Sequence, residues 1–100
     1  MYARLIIYRT HPGPYADAGN LAQRFVPAFQ RCRGFRNAVF FGDEATGEYG
    51  IFVLWRSRED VEVEATTIIP RLQEALTGLA LENPVIRVYE VDESICGENP

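Results

Sequence analysis

The stretch Glu48-Tyr49-Gly50-Ile51-Phe52-Val53-Leu54-Trp55-Arg56-Ser57-Arg58-Glu59-Asp60 decides the reading of this chain. The run from Glu48 to Arg56 reads as a strand that is apolar on both sides. Ile51, Val53 and Trp55 point one way and Phe52 and Leu54 the other, because successive side chains on an extended backbone alternate. Ser57 then opens a capping-box-like pattern with Asp60, in which a hydroxyl accepts from a backbone N–H that the first helical turn leaves without a partner. A strand that needs cover on both faces thus runs directly into a helix.

Upstream, Phe35 to Asp43 forms a second apolar strand. The link Asp43-Glu44-Ala45-Thr46-Gly47 has a glycine available for positive φ, so the two strands are predicted to make a hairpin. Before it, Leu21, Phe25, Phe29 and Cys32 recur at helical spacing, with Gly34 as the stop. Pro27 within that pattern removes a backbone donor and is predicted to kink or break the helix. Tyr2 to Thr10 reads as a first strand, ended by His11-Pro12-Gly13-Pro14.

Downstream of Ser57, a helix carries Val61, Ala65, Ile68, Ile69, Leu72, Ala75, Leu76 and Leu79 on one face. Pro70 either kinks it or begins its second half as a first-turn proline. Glu59, Asp60, Glu62 and Glu64 read as a solvated acidic helix start with no function. Asn83-Pro84 makes a turn before a last strand, Val85 to Val91. The order β-α-β-β-α-β predicts one α+β, ferredoxin-like domain over 1–91, an antiparallel sheet with two helices on one face, and a polar tail over 92–100.

Two helices on one face leave the second face of that sheet bare. Leu5 and Ile7 lie opposite Ile6 and Tyr8 on the first strand, as Phe52 and Leu54 lie opposite Ile51, Val53 and Trp55 on the third. A chain of this length has no further element to cover whichever set faces away from the helices. Each large apolar side chain left in water forfeits about 2 kcal/mol. A homodimer packed sheet face on sheet face, a dimeric α/β barrel, is the simplest closed solution.

Composition removes many functions. The chain has 100 residues, 47% of them apolar, enough for one core. Its net charge of -4 opposes nucleic-acid binding. Every basic residue is arginine, so a lysine Schiff base is excluded. His11 is the only histidine, and Cys32 and Cys96 are far apart, so neither a metal site nor any other cofactor is expected. Ser57 is committed to a cap, which argues against a serine hydrolase. No apolar run approaches the roughly 20 residues that cross a bilayer, and Met1 leads straight into strand-like sequence. The expectation is a soluble, cytoplasmic protein with reduced cysteines, no membrane and no nucleic-acid partner.

From Gly34-Phe35 through Asp43-Glu44-Ala45-Thr46-Gly47-Glu48-Tyr49-Gly50 to Leu54-Trp55-Arg56-Ser57-Arg58-Glu59-Asp60, the chain resembles the antibiotic-biosynthesis monooxygenase-like proteins of the dimeric α/β-barrel superfamily. The sharpest part of the likeness is the third strand ending in Trp-x-Ser before the second helix. The resemblance implies a homodimer with a pocket between each sheet and its helices. It also implies activities among which are cofactor-free, quinone-forming oxygenation and haem degradation. The haem-degrading members place a histidine on the second helix and an asparagine on the first strand; Arg58 to Leu79 has no histidine here, and the first strand no asparagine.

Cofactor-free oxygenation of a planar phenol or quinol needs an apolar pocket and a group that stabilises the substrate anion. The candidates are Tyr8 and His11 as catalytic groups, Trp55, Arg87 and Tyr89 for substrate binding, and Arg4 as an alternative holder of an anionic oxygen. Each has a structural alternative: Trp55 as a core residue closing the sheet end, Tyr8 and Tyr89 as packed side chains with satisfied hydroxyls, His11 as a solvated turn residue. Arg4 and Arg87 can also pair with Glu90 across neighbouring strands. A non-catalytic binding or structural dimer is the competing reading, and an isomerase of a lactone or dienol a third.

Overall fold

The computed structural model describes residues 1–11 and 16–92, with the side chains of residues 16–20 and 22 left aside. Cys96, the Pro12-Gly13-Pro14 breaker and the tail beyond Asp92 lie outside the described residues. The strands are β1 (Tyr2–Arg9), β2 (Phe35–Asp43), β3 (Glu48–Trp55) and β4 (Val85–Glu90), and the helices α1 (Ala16–Gln30), α2 (Arg58–Thr67) and α3 (Ile69–Thr77). The sheet order is β2-β3-β1-β4 with every neighbouring pair antiparallel. This is the ferredoxin-like α+β fold expected from the sequence.

Local chemistry explains the boundaries. The Ser57 hydroxyl accepts from the Asp60 backbone N–H at 3.2 Å and lies 2.8 Å from the Asp60 carboxylate, so the predicted cap is formed. The second helix is two helices. The Ile68 N–H donates to Glu64 O at 2.9 Å and closes α2, and Pro70 falls in the first turn of α3, where its missing N–H has no helical partner to lose. Pro27 does not break α1, which runs on to Gln30 as one element. The Pro27 carbonyl near the helix end accepts from both the backbone N–H and the Nε of Arg31, each at 3.2 Å.

The hairpin link turns at Gly47, whose φ of 74 is left-handed and whose Cα hydrogen position faces the Thr10 carbonyl. A Cβ there would be strained by its backbone angle and would strike that oxygen. Gly47→Ala is therefore expected to destabilise the protein by at least about 1–2 kcal/mol, read as a lower urea midpoint at unchanged slope.

One core lies between the sheet and the helices. Ile6, Ile51, Val53 and Trp55 from the sheet meet Leu21, Phe25 and Phe29 from α1, Val61 from α2, and Ile69, Leu72 and Leu76 from α3. Trp55 is fully buried, with Phe29 and Phe35 edge-on at centroid distances of 6.3 and 6.0 Å. Pairing register assigns the opposite face. Leu5 sits between Phe52 and Arg87, Phe52 faces Val39, and Ala3 lies between Leu54 and Tyr89. Val39, Phe41, Val85 and Tyr89 on this face are exposed by 42 to 51%. The two-sidedness read for β3 and β1 is present, and no helix among the described residues covers the second side.

Candidate functional site

The alternation that turns Ile6 and Tyr8 to the helices also turns Tyr2 and Arg4 there. On α2, Glu64 follows Val61 by three positions and precedes Ile68 by four, so the helical period places it on the buried stripe. The two charges meet: the Arg4 Nε–H donates to Glu64 Oε1 at 2.8 Å, with the side chains 8% and 0% exposed. The Trp55 Nε1–H donates to Glu64 Oε2 at 3.1 Å. Burial pushes the Glu64 carboxyl above the usual carboxylate range, and the bonds from Arg4 and Trp55 pull it back. Burial likewise raises the half-buried Cys32 thiol, with the negative charge of Glu64 adding to the effect.

Two sequence readings change here. Glu64 is not part of a solvated acidic helix start; it is a buried ion-pair partner. Arg4 pairs with Glu64 from a helix and not with Glu90 from the neighbouring strand. The signal for both was in the sequence: a glutamate on an apolar helical stripe and an arginine in the inward phase of an apolar strand.

Arg4 also lines a cavity of about 400 Å³ between α2 and the β1–β4 edge. Its apolar walls are Tyr2, Val61, Ala65 and Val88, and its rim carries the exposed Arg58, Glu62 and Glu90. The Arg58 guanidinium lies over the Tyr2 ring, 5.6 Å from its centroid. The cavity falls within the range typical of small-molecule sites, and its one buried charge is a hydrogen-bond donor. A depression of about 370 Å³ beside the α3–β4 connection, lined mainly by exposed side chains such as Gln73, Thr77 and Glu82, contains no buried charge. Volume alone therefore does not locate the site.

The five residues proposed from sequence are not brought to one place. Tyr8 is buried on the helix face and stacks on Tyr49, centroids 5.9 Å apart, beside a smaller depression of about 250 Å³. By strand rise it stands about 13 Å along β1 from Arg4. His11 is exposed beyond the end of β1. Trp55 is in the core, where its ring is packed and its N–H is bonded to Glu64. Arg87 and Tyr89 are exposed on the open face, in register with Leu5 and Ala3. Among the described residues no three histidine, cysteine or carboxylate side chains are grouped to hold a metal. No helix among the described residues is long and apolar enough to cross a membrane.

No protein-family model and no curated protein matches the sequence. Solved structures do match the fold. A provisionally named antibiotic biosynthesis monooxygenase from Deinococcus radiodurans superimposes with a TM-score of 0.81 at 18% identity, covering 99% of this chain and 100% of that one. SnoaB, a cofactor-independent oxygenase from Streptomyces nogalater, gives 0.75 at 14% identity, over 94% and 95%. NE2512 from Nitrosomonas europaea, a protein of unknown function, gives 0.75 at 15%, over 99% and 93%. Over nearly its whole length, this chain has the ferredoxin-like α+β fold of the antibiotic biosynthesis monooxygenase structures.

Proposed function

We propose that the protein is a homodimer that binds a planar phenol or quinol in the cavity between α2 and the β1–β4 edge, and that it oxidises this ligand with dioxygen without a cofactor. The observation that carries the reading is the cavity itself, about 400 Å³ with Tyr2, Val61, Ala65 and Val88 as its apolar lining and the buried Arg4 beside them. The lining suits an aromatic ring, and the guanidinium suits the oxygen of a phenolate, the electron-rich form that reacts with dioxygen. For a phenol unsubstituted para to its oxygen the reaction balances without an external reductant. The para C–H and the phenol O–H give up their hydrogens, one atom of dioxygen becomes the second C=O of the quinone and the other leaves with both hydrogens as water. The fold likeness to a cofactor-independent oxygenase supports the same chemistry.

The homodimer is supported by the open sheet face, whose half-covered Leu5, Ile7, Phe52 and Leu54 adjoin the exposed Val39, Phe41 and Val85. Oxygen uptake with anthrone-type and hydroquinone substrates is the test. Uptake above a heat-killed control is expected, and its loss in Arg4→Gln, assayed at a temperature where circular dichroism shows that this destabilised variant is still folded; no uptake across the panel removes the enzyme reading. Tyr8→Phe and His11→Ala locate the reaction centre: loss of uptake in these variants, with Arg4→Gln active, would move it to the depression at the other end of β1. The distance of Tyr8 and the exposure of His11 leave the Arg4 cavity without either catalytic group proposed from the sequence, Tyr8 as donor or His11 as base, which favours a binding-only dimer as the second reading.

A further inference from the structure

A carboxylate facing arginine ordinarily closes on it with both oxygens, filling two of the five guanidinium N–H donors in a fork. Glu64 does not. Its Oε1 accepts from Arg4 Nε at 2.8 Å, while its Oε2 is held by Trp55 Nε1 at 3.1 Å. The tryptophan thus takes the oxygen that would otherwise reach an Arg4 Nη group. Among the described residues, Arg4 is bonded through Nε alone, and the rest of its guanidinium belongs to a side chain that is 8% exposed and lines the cavity. The other lining charges, Arg58, Glu62 and Glu90, are exposed and screened by solvent and salt. Among the described lining residues, Arg4 is the one charge held out of solvent, so its donors dominate recognition inside.

We propose that Trp55 and Glu64 are positioning residues that keep the Nη groups of Arg4 turned to the cavity, and that the ligand seated there presents an oxyanion, carboxylate or phenolate, on a planar aromatic ring. This rests on the cavity being the binding site; it adds the device that holds the anchor and extends the ligand's oxyanion from phenolate to carboxylate. Guanidinium and oxyanion meet in a wall of low dielectric, where a charge-assisted bond is stronger than one made in water.

The test is titration of the full-length protein with naphthoate and the corresponding naphthamide, which share ring and shape and differ in charge. The wild type is expected to bind naphthoate about tenfold tighter, the gain of a hydrogen bond to a charged group. Trp55→Phe keeps an aromatic ring but frees Glu64 Oε2 to close on Arg4, so the preference falls towards parity while naphthamide affinity holds. A merely structural tryptophan would lower the melting temperature and weaken both ligands alike, and that result overturns the positioning role. Glu64→Gln removes the like charge beside the bound anion, and the naphthoate preference is expected to rise. If Trp55→Phe does not fold, an unchanged preference in Glu64→Gln overturns the proposal. Equal binding of the two ligands by the wild type leaves the cavity reading standing and removes the oxyanion; binding of neither removes both.

Discussion

Glu64→Leu is expected to destabilise the protein by about 3–5 kcal/mol, the usual result of removing one partner from a buried ion pair. Arg4 is 6% exposed and its Nε–H loses its acceptor inside the wall, so its charge keeps only the cavity side for compensation. The Trp55 Nε1–H loses its acceptor as well. For a domain of 100 residues each kcal/mol corresponds to about 4–8 °C, so the melting temperature should fall by well over ten degrees. The double variant Arg4→Met with Glu64→Leu separates charge from packing. Both ions are then gone, and stability should return most of the way, short of the deficit left by the unpaired tryptophan N–H. Equal destabilisation in the single and double variants would mean that volume at these positions, not charge, holds the structure. Calorimetry of the three proteins decides it.

The second large effect concerns the open face of the sheet, where one step along β3 changes the outcome. Val53 is fully buried against the helices, whereas its neighbour Phe52 lies opposite Leu5 and Val39 on the uncovered side. Val53→Asp places a carboxylate in the core and is expected to leave no folded protein, because an unpaired buried charge costs more than a domain's entire stability of about 5–15 kcal/mol allows alongside the lost packing. Phe52→Glu places the same kind of charge on a surface that folding does not need to bury. It is expected to give a folded monomer with an intact circular-dichroism spectrum, where the parent elutes as a dimer at the same concentration. A parent that sediments as a monomer at every concentration tested would remove the sheet-to-sheet dimer.

These two experiments divide what was legible in the sequence from what was not. The two-sidedness of β3, the cap at Ser57, the positive φ of Gly47 and the β-α-β-β-α-β order all follow from relations among residues two to four apart. Period, cap and turn are local, and the chain states them directly. The split of the second helix was half legible: Pro70 offered two outcomes, and the backbone chose the first-turn position.

The candidate site depended on relations that no window of sequence contains. Arg4 and Glu64 are 60 positions apart, and only the pairing of β1 beside β3, with α2 laid across both, brings them within 2.8 Å. The register of β4 against β1 decides that Arg87 and Tyr89 face away from the helices while Val88 and Glu90 share a side with Arg4 and Tyr2. A shift of one residue would exchange the two sets, since side-chain direction on a strand has a period of two. The sequence by itself therefore determined which elements form and which faces are apolar, because those depend on neighbours along the chain. The tertiary structure alone decided which charges meet, because that depends on neighbours across it.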